Sequence, residues 1–362
     1  MEDEIRERRR LRVLVTIAVV AVVMLLAAVI PSPYSIERPG PVVNTLGEVA
    51  IEGETMPVIG ITGAEVHPVT GELNLLTVSI VGSPDHPLGW LSLVPALLDS
   101  SQRIAPVSEF YPDGVSEQDR TEANTVLMDS SQMRAAAAAF RALDQPVSVE
   151  LEVVGVSEGG PADGELRDGD LLVSAGDEPL TDFAELRAAI SASGAGEPLR
   201  LGIERDGVAK RVSVTPEIPE EGGEPLLGVV VSSNYVLPAE VDINLSEIGG
   251  PSAGLVFSLA IYDKLTPEPL LNGLTVSGTG TIADTGEVGA IGGLAQKMWA
   301  AARADSDLFL MPLDNCADVP QQIPGDLTVA PVASLDEAIT AVEAVSAGEQ
   351  PEGLERCEAK PE

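Results

Sequence analysis

The chain has 362 residues, with 57 Asp+Glu against 21 Lys+Arg and a formal net charge of -36. A surface this acidic repels phosphate, which excludes nucleic-acid binding, since that affinity needs clustered Lys and Arg. Two His (His67, His86), two Cys (Cys316, Cys357) without a C-x-x-C, and no G-x-x-x-x-G-K-[ST] exclude an H-E-x-x-H zinc protease, a zinc ribbon and a P-loop ATPase. Neither a metal nor another cofactor is expected. Lys is scarce, at Lys210, Lys264, Lys297 and Lys360 alone.

At 44% hydrophobic but 3% aromatic, the chain can bury cores built mainly from Val, Leu, Ile and Ala, and its length suggests two or three domains. Residues 1–12 hold Arg6, Arg8, Arg9, Arg10 and Arg12. The apolar run 13–30 follows, interrupted only by Thr16. At 1.5 Å per residue it spans about 27 Å, close to the roughly 30 Å of a bilayer core. The positive-inside bias predicts a cytoplasmic tail 1–12, a single transmembrane helix 13–30 and an extracytoplasmic remainder. A cleaved signal peptide is the alternative, although its apolar core should be only about 7–15 residues.

Residues 31–145 form an extracytoplasmic N-terminal region rich in Pro and Gly, with strands expected at 58–61 and 73–81 and a helix over 121–142 that Pro146 ends. Residues 147–216 read as a compact unit: a strand to Val156, a turn into a strand after Leu166, an amphipathic helix 183–190, and a hairpin turning at Asp206-Gly207. The acidic stretch 217–224 reads as a linker. Residues 225–345 alternate strands (229–231, 241–243, 274–282, 308–311) with helices (252–265, 293–304, 334–345). The segment 346–362 is expected to be a flexible tail. In an oxidising exterior Cys316 and Cys357 either pair, tying that tail to the last domain, or stand as two unrelated thiols.

The chemistry-bearing candidates lie in the last unit. Gly250-Pro251-Ser252-Ala253-Gly254 opens an apolar-periodic helix, so Ser252 points toward the domain body beside a helix N-terminus whose N–H groups suit an oxyanion. An ordinary Ser cap has the same look. A serine nucleophile needs a base. His67 and His86 sit beside Pro in turn-like contexts far upstream. Lys297 flanks the stripe Leu294, Met298, Ala301, and a buried Lys can lose its proton where Arg cannot. Standing alone, Lys297 would equally read as a snorkelling surface residue.

Two resemblances bear on these alternatives. Gly159-Gly160-Pro161-Ala162, Leu166 and Asp168-Gly169-Asp170-Leu171-Leu172 resemble the small-Pro-Ala, Leu and GD-(I/L/V)-(I/L) pattern of bacterial PDZ domains. That resemblance implies binding of extended peptides by strand addition, though no G-L-G-[FL] carboxylate loop precedes 149–156. The stretch 249–315 resembles the proteolytic domain of Lon-type proteases, peptidase family S16. It does so in Gly250-Pro251-Ser252-Ala253-Gly254, Gly278-Thr279-Gly280, Gly286-x-Val288-x-x-Ile291-Gly292-Gly293-Leu294-x-x-Lys297, and Pro312-Leu313-Asp314-Asn315. Ser252 is then implied as nucleophile and Lys297 as general base. Thr279 supports the dyad, and Gly250, Pro251 and Ala253 shape its turn. The family's acidic residue is Gly249 here, and its Glu after Thr-Gly is Thr281.

The order of anchor, PDZ and Lon-type domain is similar to PDZ-containing Lon-like membrane-anchored serine proteases of Gram-positive and actinobacterial type. The implied fold class is α+β: an N-terminal transmembrane helix, a β-rich PDZ-like domain with one or two helices, and a C-terminal Lon-type α+β domain. The implied activity is ATP-independent endopeptidase action on unfolded or exposed segments of envelope and secreted proteins, with the PDZ unit aiding recognition. The alternative is a non-catalytic PDZ adaptor binding envelope-protein tails. Implied partners are protein or peptide substrates, the cytoplasmic membrane through residues 13–30, and further copies of the chain, since Lon-type domains commonly form rings. Neither ATP nor nucleic acid is among them.

Overall fold

The computed structural model describes residues 2–51, 53–112, 114–219, 222–245 and 248–359, with the side chains of all but 2–8, 10 and 358–359. Three parts of the sequence reading therefore lie outside the described residues: the side chains of Arg6, Arg8 and Arg10, the middle of the segment 217–224, and the last three residues. The chain divides into two units, residues 1–143 with 239–362, and residues 144–238.

The first unit begins with α1 (Glu2–Val29), whose segment Leu11–Val29 has a mean hydropathy of 2.7, long and apolar enough to cross a membrane and wholly exposed. There follow β1 (Tyr34–Asn44), β2 (Glu48–Ile51), β3 (Glu54–Pro57), β4 (Ile59–Thr62) and β5 (Glu72–Val81). Two 3-10 turns, Trp90–Leu93 and Ala96–Leu98, lead to β6 (Arg103–Pro106), the one-turn α2 (Val107–Phe110) and α3 (Glu117–Ala142). Helix α3 starts earlier than its apolar pattern indicates because Ser116 and Asp119 form a reciprocal capping box, which satisfies N–H groups that a helix start leaves free.

The second unit holds β7 (Ser148–Val156), β8 (Leu171–Ala175), β9 (Glu178–Pro179), α4 (Phe183–Ser193), β10 (Leu199–Arg205), β11 (Val208–Val214) and β12 (Val229–Val236). Its sheet runs β11-β10-β8-β7-β12, with every pair antiparallel. Asp206 and Gly207 both take positive φ, as a two-residue hairpin turn of this hand requires. The buried Asp170 of the Gly-Asp motif serves the fold of this unit. Arg205 grips both its oxygens at 2.6 Å and holds its carboxyl below the usual range.

One sequence boundary is corrected here. Val229–Val231, assigned to the last domain, opens β12, which pairs along the whole of β7 and completes this unit's sheet. The acidic stretch 217–224 is not a linker between domains, since it lies inside 144–238 and the flanking Glu217 and Leu226 exchange backbone hydrogen bonds of 2.9 and 3.0 Å.

The chain then returns to the first unit with β13 (Glu240–Ile243), a 3-10 turn Pro251–Ala253, α5 (Gly254–Leu265), β14 (Thr275–Gly278), β15 (Thr281–Ile282), β16 (Val288–Gly289) and α6 (Leu294–Arg303). It ends in β17 (Leu308–Pro312), a 3-10 turn Leu313–Asp318, β18 (Val329–Val332), α7 (Leu335–Ser346) and α8 (Glu355–Ala359). The main sheet has the order β18-β17-β14-β5-β1-β6, parallel from β18 to β5 and antiparallel beyond. Strand β17 is buried throughout, as expected of a strand covered on both faces. Its Phe309 and Met311 pack with Leu294, Met298 and Ala301 of α6. On the other face a Cβ at Gly278 would touch Val256 of α5 and Leu310, so α5 and α6 lie on opposite sides of the sheet.

The reading of 31–145 and 225–345 as separate regions is corrected by this sheet, because β5, β1 and β6 extend the strands that come from the C-terminal half. Periodicity finds strands but not their partners across a long loop. The tail 346–362 is also not loose in its described part. Cys357 of α8 is disulfide-bonded to Cys316, Leu354 and Cys357 pack against the α6 cluster, and Arg356 bridges Glu337 at 2.8 Å.

Candidate active site

Three segments converge on one point of the first unit. Gly250, at φ +92°, turns the chain into the Pro251–Ala253 turn, and its N–H donates to the Asn124 carbonyl of α3 at 3.0 Å. That backbone conformation is essentially confined to glycine. Ser131 of α3 donates its hydroxyl to the Pro251 carbonyl at 3.0 Å, and a Cβ on Gly254 would collide with Ile282 and the Ser131 hydroxyl. Ser252 is thus carried on a turn clamped from two sides, two residues before α5 begins. The sequence placed it within the helix; the structure places it just ahead.

The second segment is the break between β14 and β15. The Thr279 N–H stays with the sheet, donating to the Leu310 carbonyl at 3.1 Å, while the Gly280 N–H leaves it to reach the Ser252 carbonyl at 2.9 Å. The fully buried Thr279 adds its hydroxyl to the same carbonyl at 3.1 Å. The alternating pattern 274–282 therefore splits into two short strands because one turn of it holds the serine.

Lys297 comes from α6 and is 2% exposed. Its Nζ lies 2.9 Å from the Ser252 Oγ and 2.9 Å from the Thr279 Oγ1. Burial disfavours the ammonium form and lowers its pKa to about 7, with the Glu37 carboxylate opposing that fall. Lys264, at the end of α5, is also buried and shifted down, with Asp263 opposing the fall as Glu37 does for Lys297. The company of Ser252 and Thr279, not the shift, distinguishes Lys297.

Ser252 and Lys297 line an open cleft of about 740 Å³ together with Glu37, Arg120, Asn124 and Thr281, whereas Thr279 is fully buried. Neither His67 nor His86 lines it, and the His86 side chain is largely exposed beside Glu117. Glu37 is the residue that sequence reasoning missed. It is buried on β1, accepts a hydrogen bond from Arg103 Nε at 2.5 Å, and has Arg103 as its cross-strand partner. Opposite charges at paired strand positions were the available signal, but the pairing spans 66 residues. The Gly249 departure also has a physical account, since a Cβ there would sit 3.0 Å from the Asn124 Cβ. The acid facing this cleft comes from β1 instead.

Chemically, an amine at this distance from a hydroxyl can accept its proton. The neutral lysine uses its lone pair for Ser252 while an N–H remains on Thr279. No group of three or more His, Cys, Asp and Glu that would hold a metal ion occurs among the described residues.

Residues 247–344 match the Lon protease (S16) C-terminal proteolytic domain, and residues 114–215 match the PDZ domain family. The Lon protease of Chloroflexus aggregans is 35% identical over 92 residues, 25% of this chain and 11% of that protein. That of Vibrio parahaemolyticus is 34% identical over 116 residues, 30% of this chain and 15% of that protein. The match thus spans only about a tenth to a seventh of those relatives' length. Among solved structures, the PDZ domain of the SdrC-like protein from Listeria innocua is 22% identical, covering 23% of this chain and 92% of that one at a TM-score of 0.21. The PDZ match begins inside the segment leading to α3, a helix that the structure assigns to the first unit. Residues 247–344 thus carry the sequence of a Lon-type S16 proteolytic domain and residues 114–215 that of a PDZ domain, each match covering less than a third of the chain.

Proposed function

We propose that the chain is an ATP-independent serine endopeptidase working through a Ser252–Lys297 dyad on unfolded or exposed segments of envelope and secreted proteins. The observation that carries this is the buried Lys297 amine, 2.9 Å from both Ser252 Oγ and Thr279 Oγ1. A base titrating near 7 is half deprotonated at neutral pH, where general-base catalysis is most effective. Lys297 takes the Ser252 proton as Oγ attacks the peptide carbonyl, and the Ser252 and Ala253 N–H groups serve the oxyanion, since Pro251 has none and that of Gly250 is held by the Asn124 carbonyl. The ammonium then protonates the leaving amine, and the free amine activates water to release the acyl group. Thr279 keeps Nζ on line by holding it from the far side.

ATP independence is supported by the absence of a phosphate-binding loop among these 362 residues. Without a motor, extended and unfolded segments are the accessible substrates. An extracytoplasmic site is supported by the basic residues ahead of the apolar helix and by the disulfide. For the PDZ unit, β12 is the terminal strand of its sheet and carries an exposed Val230. Leu226-Leu227-Gly228 precede it, the place where a carboxylate-binding turn would stand, so a peptide adding as a strand along β12 fits this edge.

The test is degradation of an unfolded protein such as casein by the full chain, without nucleotide, beside Ser252→Ala and Lys297→Ala. Loss of cleavage in both variants, with unchanged folding by circular dichroism, is expected. Undiminished cleavage by Ser252→Ala would rule out the dyad, and absence of cleavage by the parent would leave the chain as a PDZ adaptor with a structural Lon-type domain.

A further inference from the structure

Beside the end of α1 the chain exposes a second apolar surface. From Pro87 to Leu98 run twelve residues without a charged side chain, in a molecule of net charge -36. The two 3-10 turns sort this segment by face. Leu88, Leu93 and Ala96 turn inward and pack with Ile36, Val81 and Ile104. On the outside Leu97 is 73% exposed and Leu98 86%, with Trp90 and Val94 each nearly half exposed. The inward set already satisfies the fold, so the outward set is free for a partner, and a contiguous exposed apolar patch of this kind marks an interaction surface.

The neighbour of this patch identifies the partner. The Ser32 N–H donates to the Leu88 carbonyl at 2.7 Å, and Pro31 pairs with Gly89 just past the end of α1. Gly89 lies so close to the last turn of α1 that a Cβ on it would overlap the Ala28 carbonyl. Trp90 meets Tyr34 edge to face, ring centroids 5.9 Å apart. Wherever the apolar helix leaves the hydrocarbon, Trp90 and Tyr34 are therefore alongside it, at the level where these two residue types concentrate in membrane proteins.

We propose that the Trp90–Leu98 loop is a second membrane contact, dipping Leu97 and Leu98 into the bilayer interface beside α1. The proposal rests on the reading of α1 as a membrane span. Its partner is a lipid surface recognised through apolar burial, because the segment has no Lys or Arg to attract anionic headgroups. Contact on zwitterionic lipid is therefore expected to equal that on anionic lipid. Two points of attachment, α1 and this loop, stop the unit turning freely about the helix axis. The cleft is then held in one attitude to the bilayer, since β1 runs from Tyr34 directly to Glu37.

The experiment uses the full chain in phosphatidylcholine vesicles. Both native cysteines are in the disulfide, so Leu98→Cys offers one thiol for an environment-sensitive fluorophore. Lipids spin-labelled at the headgroup or high on the acyl chain serve as quenchers, and alkaline carbonate extraction reports separately whether α1 spans. The expected result is blue-shifted emission quenched by the shallow labels. Water-like, unquenched emission from a chain that resists extraction overturns the loop contact and leaves the α1 reading standing. Blue-shifted emission that no lipid quencher reaches places the loop against protein, such as a second copy, and also overturns it. Quenching in a chain that carbonate strips off upholds the loop contact while removing the α1 span, and water-like emission from a stripped chain removes both.

Discussion

Lys297 carries a conflict between stability and chemistry that can be measured. Burial lowers its amine from the ordinary lysine value to about 7, and each pKa unit corresponds to about 1.4 kcal/mol between the two protonation states. For a base lowered on folding, both states are protonated below about pH 7 and the native state bears the whole desolvation cost. As pH rises from about 7 toward 10.4 the native amine is neutral while the unfolded one still binds a proton, so stability climbs through that window. Lys297→Met removes the cost, which is on the order of 4 kcal/mol before the lost hydrogen bonds are set against it. Urea unfolding should find the variant more stable than the parent at pH 6, with the advantage shrinking by pH 10. A parent that is the more stable at pH 6 refutes buried-charge strain at this position. Glu37 tests the same site from outside. Its carboxylate favours the ammonium, so Glu37→Gln lowers the Lys297 pKa further. In the proposed mechanism peptidase activity requires the neutral amine, and the rising limb of the pH–kcat/KM profile should therefore move to lower pH. A limb that stays put, or moves up, means that the Glu37 charge does not act on Lys297.

At the level of elements, the serine turn depends on backbone shape more than on packing. A Cβ at Gly250 would meet nothing within 4 Å, yet the torsion there is one that L-residues avoid at about 1–3 kcal/mol. Gly250→Ala should fold, with its melting temperature slightly lowered, but lose about tenfold or more in kcat as Ser252 shifts off its line to Lys297. Unchanged kcat would show the turn to be more tolerant than its geometry implies. Helices α5, α6 and α7 and strand β17 were all legible in the sequence, because each buries mostly apolar residues at regular spacing. What escaped was set by tertiary hydrogen bonds. The split at Thr279-Gly280 exists because the Gly280 N–H turns to the Ser252 carbonyl, and the start of α3 was fixed by the Ser116 cap rather than by any apolar residue. The dyad pair itself was legible only through spaced motifs. The third contributor to its field, Glu37, sits in an unremarked strand whose partner lies 66 residues away.

On the scale of the whole molecule, the linear order of motifs conceals an interleaved fold. The sequence divides naturally at the acidic stretch 217–224, yet the structure places the divisions near residues 143 and 239 and inserts the PDZ unit into the first. This makes the two candidate fragments unequal. Residues 144–238 contain a complete sheet and its own core, with Leu151, Leu172, Leu201 and Ile203 almost fully buried, so this piece expressed alone should melt cooperatively. Residues 225–362 contain both dyad members and every Lon-type motif, but they lack β5, β1 and β6, half of the six-stranded sheet. Strand β14 would lose its parallel partner β5, and α5 would lose the Ala-rich face of α3, where Ala135 to Ala139 are buried. Bare edge strands and uncovered apolar faces of that extent favour aggregation over folding. The disulfide cannot compensate. Closing a 41-residue separation, it stabilises by about 4 kcal/mol at most, whereas a lost core Leu or Phe costs roughly 2–5 kcal/mol each. The fragment 225–362 should thus show no cooperative melt by circular dichroism and no caseinolytic activity, and co-expression with residues 31–143 should restore soluble protein. A cooperative transition from 225–362 alone would mean that the C-terminal half is a self-sufficient domain and that the N-terminal strands are an accessory to it.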